Sequence, residues 1–187
     1  MNKRKSIPFV LLLAAFLIWL FFKKEVIHPP LPIHHPSYIA TDINSVHFNE
    51  TGFMDHKISA DKATNFNEDK LTNFKKPKLT VYLQNEQTES KTIWQLTSEE
   101  GVLHQQNKLV LTTNVLVKNL SLDQFIETME TEKLTIYLDT KELTSDLLVT
   151  WKGPQMQQQG VGMWASLVTE ELIMKDQIKA VYLNEKQ

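Results

Sequence analysis

The chain has 187 residues, with 20 Lys and Arg against 22 Asp and Glu, and it contains no cysteine. The two signs of charge are interspersed, which excludes the basic footprint of a nucleic-acid-binding protein. The absence of cysteine excludes disulfides and thiolate metal sites.

The N-terminal segment predicts a membrane anchor. Residues 1–6 form a basic tail that we assign to the cytoplasm, and residues 7–22 carry no charge and are almost entirely apolar. As a helix, this run would cover roughly 24 Å of a hydrocarbon layer of about 30 Å, and lysines at both ends extend its reach. We therefore predict a transmembrane helix at 7–22. The alternative, a cleaved signal peptide, shares the basic start but requires a small-residue cleavage site, which is missing after Phe22.

A proline-rich segment at 23–37 follows the apolar run. Its prolines disfavour helix and predict an extended spacer that holds the folded part away from the membrane. We interpret His28, His34 and His35 as solvated side chains of this spacer and predict no metal site. No cofactor is expected anywhere in the chain.

From Tyr38 to the C-terminus the apolar residues recur with a period of two, as in Leu79, Val81 and Leu83. This alternation predicts half-buried β-strands, and turn-forming Asn, Asp and Gly residues separate them. We therefore predict one all-β, antiparallel domain at 38–187. Residues 120–132 have some helical character, but we interpret them as a loop that leads into a strand.

A degenerate unit recurs about four times in this domain, and a leucine marks the middle of each copy: Leu71, Leu109, Leu143 and Leu172. Units of this kind bury their apolar faces by stacking on one another. Two architectures fit, a closed sandwich and an open-ended stack, and the repetition favours the second. The end strands of an open stack would be free to pair with strands of other proteins.

No catalytic constellation is recognisable, so we predict that the protein is not an enzyme. The acidic side chains lie in polar turns of the repeats, the serines lack a nucleophile elbow, and the glycines at 160 and 162 do not form a dinucleotide fingerprint. The candidate site is instead the apolar face of the strands, which would line either a plain core or a lipid-binding groove; periodicity alone leaves both open. These residues are Leu79, Val81, Leu109, Leu111, Val115, Val117, Leu134, Ile136, Val149, Ile178 and Ala180.

Six short motifs make the chain similar to the LptC family of lipopolysaccharide export proteins. They are residues 48–52 (FNETG), 59–63 (SADKA), 74–79 (FKKPKL), 93–96 (IWQL), 143–146 (LTSD) and 160–163 (GVGM). Each motif is weak, but their order and spacing are specific, and the resemblance covers nearly the whole chain.

The resemblance implies a single-pass protein of the inner membrane whose periplasmic domain is an open, twisted β-jellyroll. Such a domain would accept lipopolysaccharide from an ATP-driven transporter (LptB, LptF and LptG) and pass it to the bridge protein LptA by edge-to-edge strand pairing. It also implies that no catalytic residues are present. The residues that would dock partners are Ile43, Val46 and Phe48 at the N-terminal edge and Ile178 and Val181 at the C-terminal edge. Gly153 and Gly162 are further candidates for docking, and the alternative is that both are ordinary turn glycines.

Two other functions stay open from the sequence. The first is a membrane-tethered adaptor whose β-domain docks partners without binding lipid. The second is a secreted carbohydrate-binding domain, which would need exposed aromatic rings from Trp94, Trp151 or Trp164.

Overall fold

The computed structural model describes residues 35–84 and 91–182, and within these ranges it contains β-strands and no helix. The prediction of an all-β, antiparallel fold is therefore confirmed for these residues. The described residues from Pro36 onward form one compact unit, whose buried core side chains lie between Ile58 and Met174. Eleven strands are present in the described ranges: β1 (Tyr38–Phe48), β2 (Met54–Phe66), β3 (Leu71–Lys75), β4 (Lys78–Gln84), β5 (Lys91–Thr97), β6 (Glu100–His104), β7 (Lys108–Asn119), β8 (Thr128–Tyr137), β9 (Glu142–Lys152), β10 (Met156–Ser166) and β11 (Glu171–Tyr182).

All neighbouring strands pair antiparallel, and the pairing forms a ring in the middle of the sheet. β2 pairs with β4 through residues 56–59 and with β3 through residues 62–66. β7 pairs with β6 through residues 108–112 and with β5 through residues 116–119. Because β3 pairs with β6 and β4 with β5, the strands β2, β3, β6, β7, β5 and β4 close on one another.

The ring creates two layers that face each other. We call the layer that contains β3 and β6 the first layer, and the layer that contains β4 and β5 the second layer. The other strands are long, and each contributes one half to each layer, so they stack in the order β8, β9, β10 and β11 beyond β7 and β1 beyond β2.

The long strands change layer at interruptions of their pairing. The register between β7 and β8 shifts between Thr112 and Val115, and Thr113 and Asn114 have φ of 66° and 55°. A bulge of this kind bends a strand and increases its twist. In β10 the same place is taken by Gly162, whose φ of +75° is one that glycine adopts without strain.

Two expectations about local structure have clear outcomes. Residues 120–127 are a loop and β8 begins at Thr128, so the prediction of a loop leading into a strand is confirmed. Within residues 35–84 and 91–182 no helix is long and apolar enough to cross a membrane. The predicted anchor at 7–22 and nearly all of the spacer at 23–37 lie outside the described residues.

Candidate functional site

The space between the two layers, which we call the groove, receives the apolar side chains of alternate residues. Nine of the predicted lining residues lie there and are almost completely excluded from solvent, with exposed fractions of 0 to 1%. Their burial follows from the period of two, which directs every second side chain of a strand to the same face. They are Leu79, Val81, Leu109, Leu111, Val115, Val117, Leu134, Ile136 and Val149.

The two remaining predicted lining residues, Ile178 and Ala180, are exposed instead of buried. Ala180 is paired with Gln158, whose side chain lines the groove, so Ala180 and Ile178 lie on the inward face of β11. Ile178 is nevertheless 52% exposed, because β11 is the last strand of the described sheet and no described residue packs over its end. Their alternating pattern is that of core residues, but their position is the open end of the groove.

A first cavity of about 960 Å³ lies at the β1 end of the groove. Its lining includes apolar side chains such as Ile58 and Phe74 together with side-chain amides and hydroxyls. The carbonyl oxygen of the Asn65 side chain is buried there and accepts no hydrogen bond from the described residues. The cavity is therefore amphipathic. Its polar lining residues are Asn44, Ser45, Asn65, Asn67, Lys70, Thr72, Gln105 and Gln106.

A second cavity of about 360 Å³ lies near the β11 end. Its lining is mostly apolar and includes two tryptophans, and among its polar lining residues Gln124 donates a hydrogen bond of 2.8 Å to Glu170. That bond joins the β7–β8 loop of the second layer to the β10–β11 turn of the first. The apolar walls comprise Trp94, Val117, Phe125, Ile126, Met129, Leu143, Trp151, Met156, Ala165, Leu167 and Leu172.

The two cavities share no lining residue, and between them the groove is filled by side chains. Leu79, Leu96 and Leu111, for example, are 0% exposed. In this structure the groove is thus two cavities separated by a packed centre.

The two layers are also joined by a partly buried ion pair, which we call the clasp. Lys141, in the β8–β9 turn of the first layer, places its Nζ 2.6 Å from Oδ2 of Asp55 at the start of β2 in the second layer. The same ammonium donates to the backbone carbonyl of Leu138. The lysine side chain is only 6% exposed, so the charge is compensated almost entirely by these partners.

His56 extends the clasp. Its Nδ1 lies 2.6 Å from Asp55, and its ring stacks on that of His47. Burial lowers the pKa of His56 more than the hydrogen bond with Asp55 raises it, so the pKa lies below its ordinary value of 6.5. Burial would raise the pKa of Asp55, but the hydrogen bonds from Lys141 and His56 outweigh it, and the pKa lies below 3.8. Within the described ranges, no group of three His, Asp or Glu side chains is arranged to hold a metal ion.

The terminal strands of the described sheet each have one unpaired edge, since β1 pairs only with β2 and β11 only with β10. Val46, Phe48 and Val181 lie on these strands and are 39%, 54% and 61% exposed. Ile43, by contrast, is half-buried and packs against the core. An unpaired edge with exposed apolar side chains is a template for strand addition.

The two predicted docking glycines lie away from the unpaired edges and in crowded places. A Cβ at Gly153 would lie 2.2 Å from the backbone oxygen of Phe125, so this glycine lets the β9–β10 turn contact the β7–β8 loop. A Cβ at Gly162 would lie 2.9 Å from the Lys175 side chain. Their docking role stays a prediction, and the structure gives each of them a packing role.

Asn119 is a structural residue of the site that the sequence reading missed. It is fully buried at the end of β7, and its Oδ1 accepts from the backbone N–H of Ser121 (2.8 Å) and of Leu122 (3.0 Å). Its Nδ2 donates to Asp123, which also accepts from Thr92. The amide thus fixes the start of the loop at the second cavity. The sequence carries a signal for this role, because Asn119 is a polar residue at the next inward position after Val115 and Val117.

The comparison with protein families agrees with this geometry. The model of the family described as "Lipopolysaccharide-assembly, LptC-related" matches residues 9–183. The chain belongs to the LptC family. A similar curated protein is the lipopolysaccharide export system protein LptC of Haemophilus influenzae, 30% identical over 104 residues. The match covers 56% of this chain and 50% of that relative, so it spans about half of the relative's length.

Proposed function

We propose that this LptC-family protein takes part in lipopolysaccharide export, binding the lipid in the groove between its two layers and passing it on. The observation that carries the proposal is an apolar groove with a cavity near each end, in a sheet whose terminal strands have unpaired edges. The family and the name of the Haemophilus influenzae relative support it.

The energetic problem of such export is the exposure of acyl chains to water. Each methylene group hidden from water is worth about 0.8 kcal/mol, so a chain of about twelve carbons is worth roughly 9 kcal/mol. Aliphatic and aromatic side chains of the two cavities would replace water around such chains. The polar walls of the first cavity suit a ligand whose apolar chains end in a hydroxylated headgroup.

The expected course runs from the β1 end to the β11 end. The anchor at 7–22 and the spacer at 23–37 hold the domain in the periplasm beside the inner membrane. The transporter LptB, LptF and LptG delivers lipid at the β1 edge, near Val46 and Phe48, and LptA adds a strand at the β11 edge, near Val181. In this arrangement the two layers form the open jellyroll of the family, and no step requires covalent chemistry.

The transfer step is tested by a handover experiment with the full chain in detergent or nanodiscs. The protein is loaded with radiolabelled lipopolysaccharide, and purified LptA is then added. We expect the lipid to bind to the chain and to move to LptA in proportion to the LptA added. Failure to bind any lipopolysaccharide would overturn the proposal, and binding without transfer would overturn its second half.

A second candidate function is a membrane-tethered adaptor that docks partners and binds no lipid. The packed centre of the groove favours it, because side chains such as Leu96 and Leu111 leave no solvent-accessible space there. An adaptor would bind LptA normally while native mass spectrometry of the detergent-extracted protein showed no bound lipid. A lipid adduct of the mass of lipopolysaccharide would exclude it.

A further inference from the structure

The clasp crosses the groove on the side where the two layers are not continuous. Each long strand passes from one layer to the other at its bulge, so the turns at its ends lie on the opposite side of the groove, which we call the mouth. Lys141 lies in a turn of the first layer, and Asp55 directly follows a turn of the second layer, so their contact of 2.6 Å spans the mouth. A second contact across the mouth, between Gln124 and Glu170, is exposed to solvent.

The clasp also joins strands that line two different cavities. Asp55 is on β2, which lines the first cavity with Ile58, and Lys141 directly precedes β9, which lines the second cavity with Leu143. The packed centre separates these cavities, and Leu79, one of its buried side chains, is paired with Ile58. The clasp therefore holds the two layers together where the groove is closed.

The chemistry of the clasp differs from that of the apolar side chains it covers. The Lys141 side chain is 6% exposed, and its ammonium is held by Asp55 and by the backbone carbonyl of Leu138. Desolvating such charges costs free energy, and apolar residues of similar volume often stabilise a fold equally well or better. The best-attested use of a buried ion pair is instead to specify one arrangement or to switch between two. A contact between charges suits a joint that opens, because water compensates both charges once they part.

We propose that the clasp is a releasable strap that holds the mouth shut over the packed centre. When the ion pair parts, the two layers separate at the mouth, the side chains of the packed centre move apart, and the two cavities become one continuous groove. Asp55 is 23% exposed and keeps His56 as a partner, so its charge stays compensated while the strap is open. This inference rests on the proposed function, because it states what must open for a ligand to pass from the first cavity to the second.

The opening is measured without any lipid ligand, by pulsed electron paramagnetic resonance on the full chain in nanodiscs. The chain has no cysteine, so spin labels attach only to introduced ones. Gln84→Cys with Lys108→Cys places one label in each layer, at the exposed ends of β4 and β7 that lie at the mouth. Gln84→Cys with Lys152→Cys is the matched pair, with both labels in the second layer.

Releasing the strap should lengthen only the distance between the layers. We expect Lys141→Met to increase the population with a longer interlayer distance about tenfold or more and to leave the distance within the second layer unchanged. Lys76→Met removes an exposed ion pair and should change neither distance. An unchanged interlayer distance in Lys141→Met would overturn the proposal. Equal broadening of both distances would overturn it too, because the whole fold would then be loosened.

Locking the strap tests its role in passage. Asp55→Cys with Lys141→Cys is joined across the mouth by a cleavable bis-methanethiosulfonate reagent, and the control, Lys118→Cys with Thr128→Cys, is joined within the second layer. We expect the locked mouth to slow the handover of lipopolysaccharide to LptA about tenfold or more, with recovery after reduction, and the locked control to transfer normally. Equal rates for the locked mouth and its reduced form would overturn the strap. If the wild-type chain binds no lipopolysaccharide, the proposed function fails, and the distances between the spin labels still decide whether the strap opens.

Discussion

The clasp between Lys141 and Asp55 makes a quantitative prediction about how the two layers are held together. Lys141→Met keeps most of the side-chain volume but removes the ammonium, which leaves Asp55 with His56 alone and the carbonyl of Leu138 without its lysine donor. Removing one partner of a buried ion pair costs about 3–5 kcal/mol. Asp55 is 23% exposed and retains one partner, so we expect a smaller loss than this, about 2–3 kcal/mol, in the free energy of unfolding.

The assay is urea denaturation at pH 7.5, followed by tryptophan fluorescence, on the chain from residue 36. The matched control is Lys76→Met. Lys76 also has a positive φ, 48° against 58° for Lys141, and also faces an aspartate, but its ion pair with Asp61 is more than 60% exposed on both sides. We expect the control to change stability by less than about 0.5 kcal/mol.

A double variant decides whether the pair itself is responsible. In Lys141→Met with Asp55→Leu no charge is left buried, and we expect stability to return to within about 1 kcal/mol of the wild type. The loss of stability in the double variant should therefore be smaller than the sum of the two single losses by about 2 kcal/mol or more. Strictly additive effects, or a Lys141→Met variant as stable as its Lys76→Met control, would refute the account of the clasp.

Three further predictions follow from other contacts. Gly153→Ala should lower the free energy of unfolding, measured by urea denaturation, by about 1–3 kcal/mol. The new Cβ would lie 2.2 Å from the backbone oxygen of Phe125, so the β9–β10 turn or the β7–β8 loop must move. Wild-type stability should fall as the pH falls below 6.5, since the pKa of His56 is lower in the folded state and the unfolded chain takes up the proton first. His56→Gln should remove this slope. Val181→Pro should abolish LptA binding in a pull-down without lowering the unfolding temperature greatly, because it lies on an edge strand.

Each of these predictions has an outcome that contradicts it. A Gly153→Ala variant with wild-type stability would mean that the loop contact is dispensable. If His56→Gln leaves the slope of stability against pH unchanged between pH 6.5 and the lower folded-state pKa of His56, another group causes the slope. That group is not Asp55, because its carboxylate loses its contribution to stability only as the pH falls below about 3.8. Normal retention of LptA by Val181→Pro would exclude β11 as the docking strand.

The strands and most of the groove lining were predictable, because a period of two is a local property of the sequence. Leu109, Leu111, Val115 and Val117 are inward for this reason, although Thr113 and Asn114 interrupt the alternation between them. The same rule fails at Ile178, whose pattern is identical but whose position at the end of the sheet leaves it exposed.

The two layers and the clasp were not predictable in this way. The fold into two layers depends on which half of β2 or β7 pairs with which neighbour, and that choice is made by contacts distant in the chain. Lys141 lies in a polar turn that resembles an exposed one, and its partner Asp55 is 86 residues away.

Site-specific photo-crosslinking tests most directly the central claim that lipopolysaccharide lies between the two layers. A diazirine amino acid is placed inward at Phe74 in the first cavity, at Leu111 in the packed centre and at Val117 in the second cavity, and outward at Thr80 and Thr135 as controls. Lipid that passes from the first cavity to the second must displace side chains of the packed centre, so the proposed function predicts lipopolysaccharide adducts at the three inward positions and none at the two outward ones in cells that export the lipid. Equal labelling of both sets, or no adduct at any inward position, would contradict it.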